Sequence, residues 1–281
     1  MKHILFFCSV VVIASIVSCT TDHSLSPEYE CNVPSTLNNA KTSSSWIYKR
    51  TLLDAQGNPL RSQTSSAIVV SFDTLTLIGR DVVYTKAGLP SLKFEDRYSN
   101  DGGLTYQRDT VYWVVTPSEF YVNNLGFQNQ LCNCFYRESL KWRVYEDCNK
   151  TSQKTIDTTF LEPSFPAFQT DGSTTYVSVE DGIKNLYLTY GNEAISVNGE
   201  SISTKKSQSL LMFSMKIISP NAVTFSNGRR TNELSDDRTV WTNRNIGIIK
   251  ERSMSVDNTN PGAFNIPHSF ERILVTYTII N

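Results

Sequence analysis

The chain has 281 residues, with 26 Lys and Arg against 27 Asp and Glu, and no block of like charge. That balance excludes a nucleic-acid footprint or a polybasic lipid-binding face, both of which need clustered cations. Hydrophobic residues at 40% and aromatics at 11% describe a folded body rather than a disordered one.

Lys2 supplies a positive charge at the start, Ile4 to Val17 form a short apolar run broken by Ser9 and Ser15, and polar residues follow at once. This is the order of a secretory signal, and the run is too short for a spanning helix. It ends in Ile16-Val17-Ser18-Cys19, which resembles the lipobox of bacterial lipoproteins: two aliphatics, a small residue, then the cysteine that becomes the new N-terminus. The resemblance implies cleavage before Cys19, a diacylglyceryl thioether on its sulfur and acylation of the freed amine. Several acyl chains anchor stably where one myristoyl chain does not. The expected partner is therefore a lipid bilayer, reached through Cys19, and the expected location is the cell envelope at the outer membrane, with the leaflet unassigned. Residues 1–18 read as the signal, and residues 19–45, rich in Ser, Thr, Asn and Pro, as a flexible tether. Residues 46–281 read as a single all-β domain.

Within that domain strand signals follow one another. Trp46–Leu53 precedes a turn at Asp54–Pro59, and Leu60 resumes an extended run. Ala67–Phe72, Thr74–Ile78 and Asp81–Thr85 alternate in hydrophobicity, the last after a Gly79-Arg80 break. Leu92–Tyr98, Leu104–Gln107, Thr110–Val115 and Glu119–Val122 follow, with Ser118–Leu125 also open to one or two helical turns after Pro117. Leu131–Tyr136 and Lys141–Tyr145 read as two arms of a hairpin, and Thr151–Asp171 is poor in strand signal. Tyr176–Val179, Asn185–Tyr190 and Ala194–Val197 come next, the last meeting Asn198-Gly199, a strong hairpin signal. Leu210–Ile218, Ala222–Phe225, Val240–Trp241, Ile246–Lys250 and Arg272–Ile280 complete the set. In the final strand Ile273, Val275, Tyr277 and Ile279 are expected to share one face. Many short strands with turn signals and no fixed repeat predict an antiparallel all-β fold, a curved sheet forming a half-barrel or a sandwich.

Six cysteines occur. Cys8 leaves with the signal and Cys19 is claimed by lipid, so Cys31, Cys132, Cys134 and Cys148 remain as disulfide candidates, with three possible connectivities. If Cys132 and Cys134 share a strand, their side chains lie about 6.6 Å apart on one face, at or beyond disulfide reach. One of them is then expected to bond Cys148 across the hairpin and the other to bond Cys31.

Catalytic constellations are scarce. His3 falls in the signal and His23 in the tether, which leaves His268, flanked by Pro267 and Ser269, as a loop residue. Metal sites on two or more histidines are thereby excluded, and the cysteine spacing lacks a CxxC, so no metal or cofactor is expected. No Gly-x-Ser-x-Gly, P-loop or dinucleotide fingerprint occurs. Glu95-Asp96, Glu146-Asp147, Glu180-Asp181 and Asp236-Asp237 are adjacent carboxylates, and neighbours in a strand face opposite sides, which makes them poor partners for one glycosidic bond.

Three resemblances remain. Ser99-x-Asp101-x-Gly103-x-Thr105-Tyr106 resembles the Asp-box of sialidases and other extracellular β-proteins, which implies a tight hairpin turn and no activity, since the box lies away from the catalytic site in that family. Asp73-Thr74-Leu75, Asp109-Thr110-Val111 and Asp157-Thr158-Thr159 resemble the O-glycosylation acceptor of Bacteroidetes, which implies acceptors at Thr74, Thr110 and Thr158. Trp241–Glu251, with Gly247-Ile-Ile-Lys250, is similar to a strand of exported β-proteins related in fold to half-barrel lipid carriers of the envelope. A strand curved or bulged at Gly247 gives the same pattern. The expectation is a non-enzymatic envelope lipoprotein whose curved sheet binds a hydrophobic or extended ligand or a partner protein. A surface glycan-binding or glycan-processing protein and an assembly subunit of an outer-membrane complex stand as alternatives.

Overall fold

The computed structural model describes residues 29, 31–86, 88–123, 142–161, 165–168, 174–218, 230–257 and 269–281. Among them lie one turn of 3-10 helix, Thr36–Asn39, and thirteen strands. These are β1 (Ser45–Leu52), β2 (Val70–Lys86), β3 (Leu89–Tyr98), β4 (Gln107–Val115), β5 (Glu119–Asn123), β6 (Trp142–Asp147), β7 (Ser152–Leu161), β8 (Phe165–Phe168), β9 (Thr174–Val197), β10 (Glu200–Ile218), β11 (Arg230–Asn243), β12 (Gly247–Asp257) and β13 (Phe270–Thr278). They form one antiparallel sheet in the order β6-β5-β4-β3-β2-β1-β13-β12-β11-β10-β9-β7, with β8 paired to β9 off this path. Two meanders meet where the first strand pairs with the last, so the fold is a single curled sheet and not a sandwich.

Several boundaries differ from the sequence reading, each for a backbone reason. The three segments over residues 67–85 are one strand, β2, and Gly79 marks a register shift within it rather than an end. Likewise the three segments over 176–197 are one strand, β9, and the polar start of β10 extends because hairpin pairing satisfies its backbone whatever its side chains. Residues 151–171, poor in apolar alternation, hold β7 and β8. Leu104 to Tyr106 belong to the β3–β4 connection instead of a strand. Glu119–Asn123 is extended and pairs with β6, so the helical option there is not taken and the expected partner arm, Leu131–Tyr136, lies outside the described residues. Asn198 and Gly199, at φ +52° and +85°, join β9 to β10 as the Asn-Gly signal predicts. In β13 the single-face expectation breaks at a bulge opposite Ile47 and Tyr48. Phe270, Arg272 and Leu274 are buried before it and Ile273 packs half-buried on the core, Val275 is exposed at it, and Tyr277 and Ile279 pack on the core beyond it.

The sheet curls around an aromatic column contributed by successive strands. Trp46 of β1 stacks edge-on to Phe94 of β3 at 5.4 Å, Phe94 lies 4.3 Å from Trp113 of β4, and Trp113 meets Phe120 of β5 at 5.3 Å. Phe120 then contacts Tyr145 of β6 at 6.4 Å. Each such pair contributes about 0.5–1.5 kcal/mol beyond burial of its area. Leu75, Leu77, Leu92, Val240, Ile248 and Leu274 fill the remaining inner wall.

Residues 31–44, read as part of a flexible tether, belong to the folded body. Leu37 is fully buried in the core, Ser35 caps the 3-10 turn by accepting from Leu37 N at 3.1 Å, and Asn38 donates to Val115 O at 2.8 Å. Leu37 and Ala40 supply apolar surface to the core next to Val115, which the Ser- and Asn-rich composition of the segment conceals. The curl is closed by β6, whose inner face lies on β10. Ser207 donates to Tyr145 O, Lys205 Nζ to Asp147 O at 3.1 Å, and Arg143 Nε to Ser209 Oγ at 3.2 Å. Small serines at alternate positions of β10 let the two strands approach without a ladder.

Candidate functional site

The closed end of the barrel is lined by charge. Strand alternation that turns Trp46 and Tyr48 inward also turns Arg50 inward, and the same phase brings in Asp73, Asp96, Arg143, Asp236, Glu251 and Arg272. Four guanidinium groups and four carboxylates run across the inner wall in alternation. Arg50 pairs with Asp73 at 3.3 Å, Arg272 with Asp96 at 3.1 Å and with Glu251 at 2.8 Å. Arg238 bridges Glu251 and Asp236 at 3.0 Å each, and Arg143 reaches Asp236 at 2.5 Å. Tyr145 donates to Glu251 at 2.9 Å, and Arg50 lies 3.8 Å above the Phe270 ring.

Burial works against the charge on Asp236, but Arg238 and Arg143 outweigh it and hold its pKa below the ordinary value. Glu251 is likewise held down, burial being overcome by Arg272 and Arg238. Asp73 differs: burial outweighs Arg50 and lifts its pKa, and burial lowers that of Arg50. Burial also pushes the Tyr48 and Tyr145 hydroxyls above their ordinary range. Asp236 and Glu251, each held ionised between two arginines, act as acceptors and tie the strands of the inner wall together.

Glu95-Asp96 and Asp236-Asp237 diverge as the strand rule predicts, whereas Glu146 and Asp147 are both buried and differ in their partners. Asp96 turns inward to Arg272 while Glu95 turns outward to Arg108 at 3.4 Å. Asp236 is buried, whereas Asp237 accepts from Gln208 Nε2 at 2.8 Å. Glu146 binds Arg244 at 3.2 Å, while Asp147 accepts the backbone N–H groups of Asn149 and Lys150. The side chains of Glu180 and Asp181 are not described.

The Ser99 to Tyr106 stretch forms the β3–β4 connection. Asp101 accepts from Ser99 Oγ at 2.7 Å, Thr105 N at 2.9 Å and Thr105 Oγ1 at 2.5 Å, and Ser99 Oγ accepts from Gly103 N at 2.8 Å. Gly102 and Gly103 take φ +77° and +93°, and Arg97 stacks on the Tyr106 ring at 4.3 Å. These donors, Thr105 and Ser99 foremost, depress the Asp101 pKa to about 2. Thr110 is exposed on β4, Thr74 is half-buried on β2 beside the buried Asp73, and the side chain of Thr158 on β7 is not described.

The disulfide expectation is corrected. Cys148 bonds Cys31, 117 residues away, and not Cys132 or Cys134, which lie outside the described residues together with Cys19 and His268. β6 pairs with β5, and Cys148, whose N–H donates to Ser118 O, stands beside the N-terminal segment that carries Cys31.

On the outer face of β1, β2, β12 and β13 lies a cleft of about 320 Å³, walled by the loop between β1 and β2. Leu53, Pro59, Ile68 and Val70 form its aliphatic part, and Lys49, Arg252 and Glu271 its polar part. The loop is held by bridges Leu53 to Pro59 and Arg61 to Ile68 and by Arg252 donating to Gly57 O at 2.9 Å. Glu271 is paired with Lys250 at 3.2 Å, whereas Lys49 has no ion pair among the described residues. Sequence reasoning identified Asp54–Pro59 as a turn but not that it folds back over the sheet; the alternation of Lys49, Thr51 and Leu53 on one face was the available signal.

Neither a protein-family model nor a curated protein sequence matches the chain. Two crystal structures resemble it over most of its length. A candidate lipoprotein of Parabacteroides distasonis ATCC 8503 covers 89% of this chain and 100% of its own at 11% identity and a TM-score of 0.38. A candidate exported protein with a YmcC-like fold from Bacteroides fragilis NCTC 9343 covers 85% of this chain and 97% of its own at 8% identity and a TM-score of 0.36. Likeness of that degree says nothing further about this chain.

Proposed function

We propose that this chain is an exported, lipid-anchored binding protein of the cell envelope, tethered through Cys19. It acts without catalysis and takes an extended ligand or a partner segment on the outside of its barrel, in the cleft under residues 53–69. One observation carries the reading. The described interior is filled by the aromatic column and the ion network, while the outer cleft combines aliphatic surface with the ammonium of Lys49, which has no ion pair among the described residues. Such a cleft, at the small end of ligand-binding volumes, suits an apolar segment bearing an acidic group. The divergence of Glu95-Asp96 and of Asp236-Asp237 supports the non-catalytic part.

Two measurements test it. Labelling with a palmitate analogue should mark wild type and not Cys19→Ala, which should persist as a precursor; equal label on both removes the anchor. Native mass spectrometry of protein extracted from the envelope should show a bound species that Ile68→Asp loses. A bare wild type, or a species retained by Ile68→Asp, rejects the cleft.

A further inference from the structure

The Cys31–Cys148 bond ties the N-terminal segment to the end of β6, and it sits among charges that the binding reading does not use. Lys205 of β10, only 9% exposed, places Nζ 3.9 Å from Cys31 Sγ and donates to Asp147 O. Arg244, just past β11 and 3% exposed, places Nη1 4.0 Å from Cys148 Sγ, and its Nε and Nη2 have no hydrogen-bond partner among the described residues. Glu146 Oε1 lies 3.5 Å from Cys148 Sγ and 3.2 Å from Arg244 Nη1, and its Oε2 accepts from Tyr29 OH and Thr242 Oγ1. Asp147, paired with Lys150 at 3.6 Å, completes the titratable surround. Both cysteines are half-buried, within reach of small solutes.

A disulfide carries no charge and gains little from buried cations, whereas thiolates gain much. Two cations fixed by the fold, one with spare donors, are therefore matched to the reduced sulfurs better than to the oxidised ones. The surround is also asymmetric. Lys205 stands beside Cys31 with no carboxylate between them, while at Cys148 the carboxylate of Glu146 lies nearer than Arg244 and is itself paired with it, so reduction favours a thiolate at Cys31 and a thiol at Cys148 donating to Glu146. Cys31, Glu146 and Cys148 converge as metal ligands would, but the adjacent ammonium and guanidinium repel a cation.

We propose that Cys31–Cys148 is a redox-active disulfide that exchanges with small thiols, with Cys31 as the leaving thiolate. An incoming thiolate attacks Cys148 Sγ, the S–S bond breaks, and its electron pair stays on Cys31 beside Lys205. A second thiolate attacks the mixed disulfide at the incoming sulfur, releasing the small-molecule disulfide. Cys148 leaves as a thiolate and takes one proton from water. Two small thiols are oxidised, the protein disulfide is reduced by two electrons, and the covalent tie between the N-terminal segment and β6 is removed.

The test uses full-length protein carrying Cys132→Ser and Cys134→Ser, equilibrated in graded glutathione buffers, acid-quenched, alkylated and mapped by mass spectrometry. Lys205→Met should need a roughly tenfold more reducing thiol-to-disulfide balance to reach half reduction, a shift of about 30 mV, and Lys205→Arg should restore the wild-type midpoint. In the reduced protein, alkylation of Cys31 should reach half its maximal rate at a pH well below the ordinary cysteine value of about 8.5. Identical midpoints for wild type and Lys205→Met overturn the proposal, and so does an ordinary pH profile at Cys31. Should Lys205→Met fail to fold, the wild-type profile alone decides.

Discussion

Arg143 is 1% exposed, ion-paired to Asp236 at 2.5 Å and bonded to Ser209 Oγ at 3.2 Å, so one side chain links β6 to β10 and β11. Arg143→Met leaves a buried carboxylate short of a partner and should cost about 3–5 kcal/mol of unfolding free energy. Arg108→Ala, which breaks the exposed pair with Glu95, should cost less than about 1 kcal/mol. Urea unfolding of the two variants checks the contrast, and equal costs would mean that the inner network is not buried. The depressed carboxylates set a pH dependence. Asp236 and Glu251 bind protons less readily folded than unfolded, so their contribution is complete above the ordinary values of 3.8 and 4.5 and is lost as pH falls below them. Asp73, with its pKa raised, runs the other way and favours the fold as pH falls through its folded value. Unfolding free energy should therefore drop below about pH 4.5, with a shallower slope in Asp236→Asn; parallel slopes would contradict the assignment. These inner charges were legible in principle, because Trp46, Tyr48, Arg50 and Leu52 share one strand phase. What the sequence could not supply was the partner, since Arg143 and Asp236 are 93 residues apart.

At the scale of elements, two glycines separate turn chemistry from packing. Gly199 takes φ +85° in the β9–β10 turn with open space where a Cβ would go, so Gly199→Ala should cost about 1 kcal/mol through backbone strain alone. Gly247 takes φ +107° at the start of β12, and a Cβ there would stand 2.5 Å from Trp113 Cζ3. Gly247→Ala therefore adds overpacking against the aromatic column and should cost about 2–4 kcal/mol in total. Thermal melts rank the pair, and equal shifts would mean that Gly247 does not abut Trp113. The Asn198-Gly199 turn was readable because its residues carry the required φ themselves. Strand ends were less readable. Gly79 looked like a break and is a register shift, and residues 200–209 lack apolar alternation yet pair with β9 throughout and with β11 from Lys205 onward. Backbone pairing, which no side chain advertises, decides such cases.

For the whole molecule, local alternation was enough to predict an antiparallel curved sheet, but closure was not. The Cys31–Cys148 pairing joins residues 117 apart in sequence, and no local pattern announces that the N-terminal segment packs at the end of β6. The tether was misread for a related reason: Leu37 and Ala40 are two apolar residues in a polar stretch, and only the assembled barrel gives them a place. Together these features give a barrel whose described interior is filled, closed by β6 and clamped at its N-terminal segment, and the proposed binding therefore falls to the outer surface. The most direct test of that account is photo-crosslinking in the intact envelope from position 68, in the cleft beside β2, and from position 110, two strands away on β4. A discrete adduct from Ile68, absent from Thr110 and abolished by Lys49→Glu, is the predicted result. Adducts of equal yield from both positions, or from neither, would contradict it.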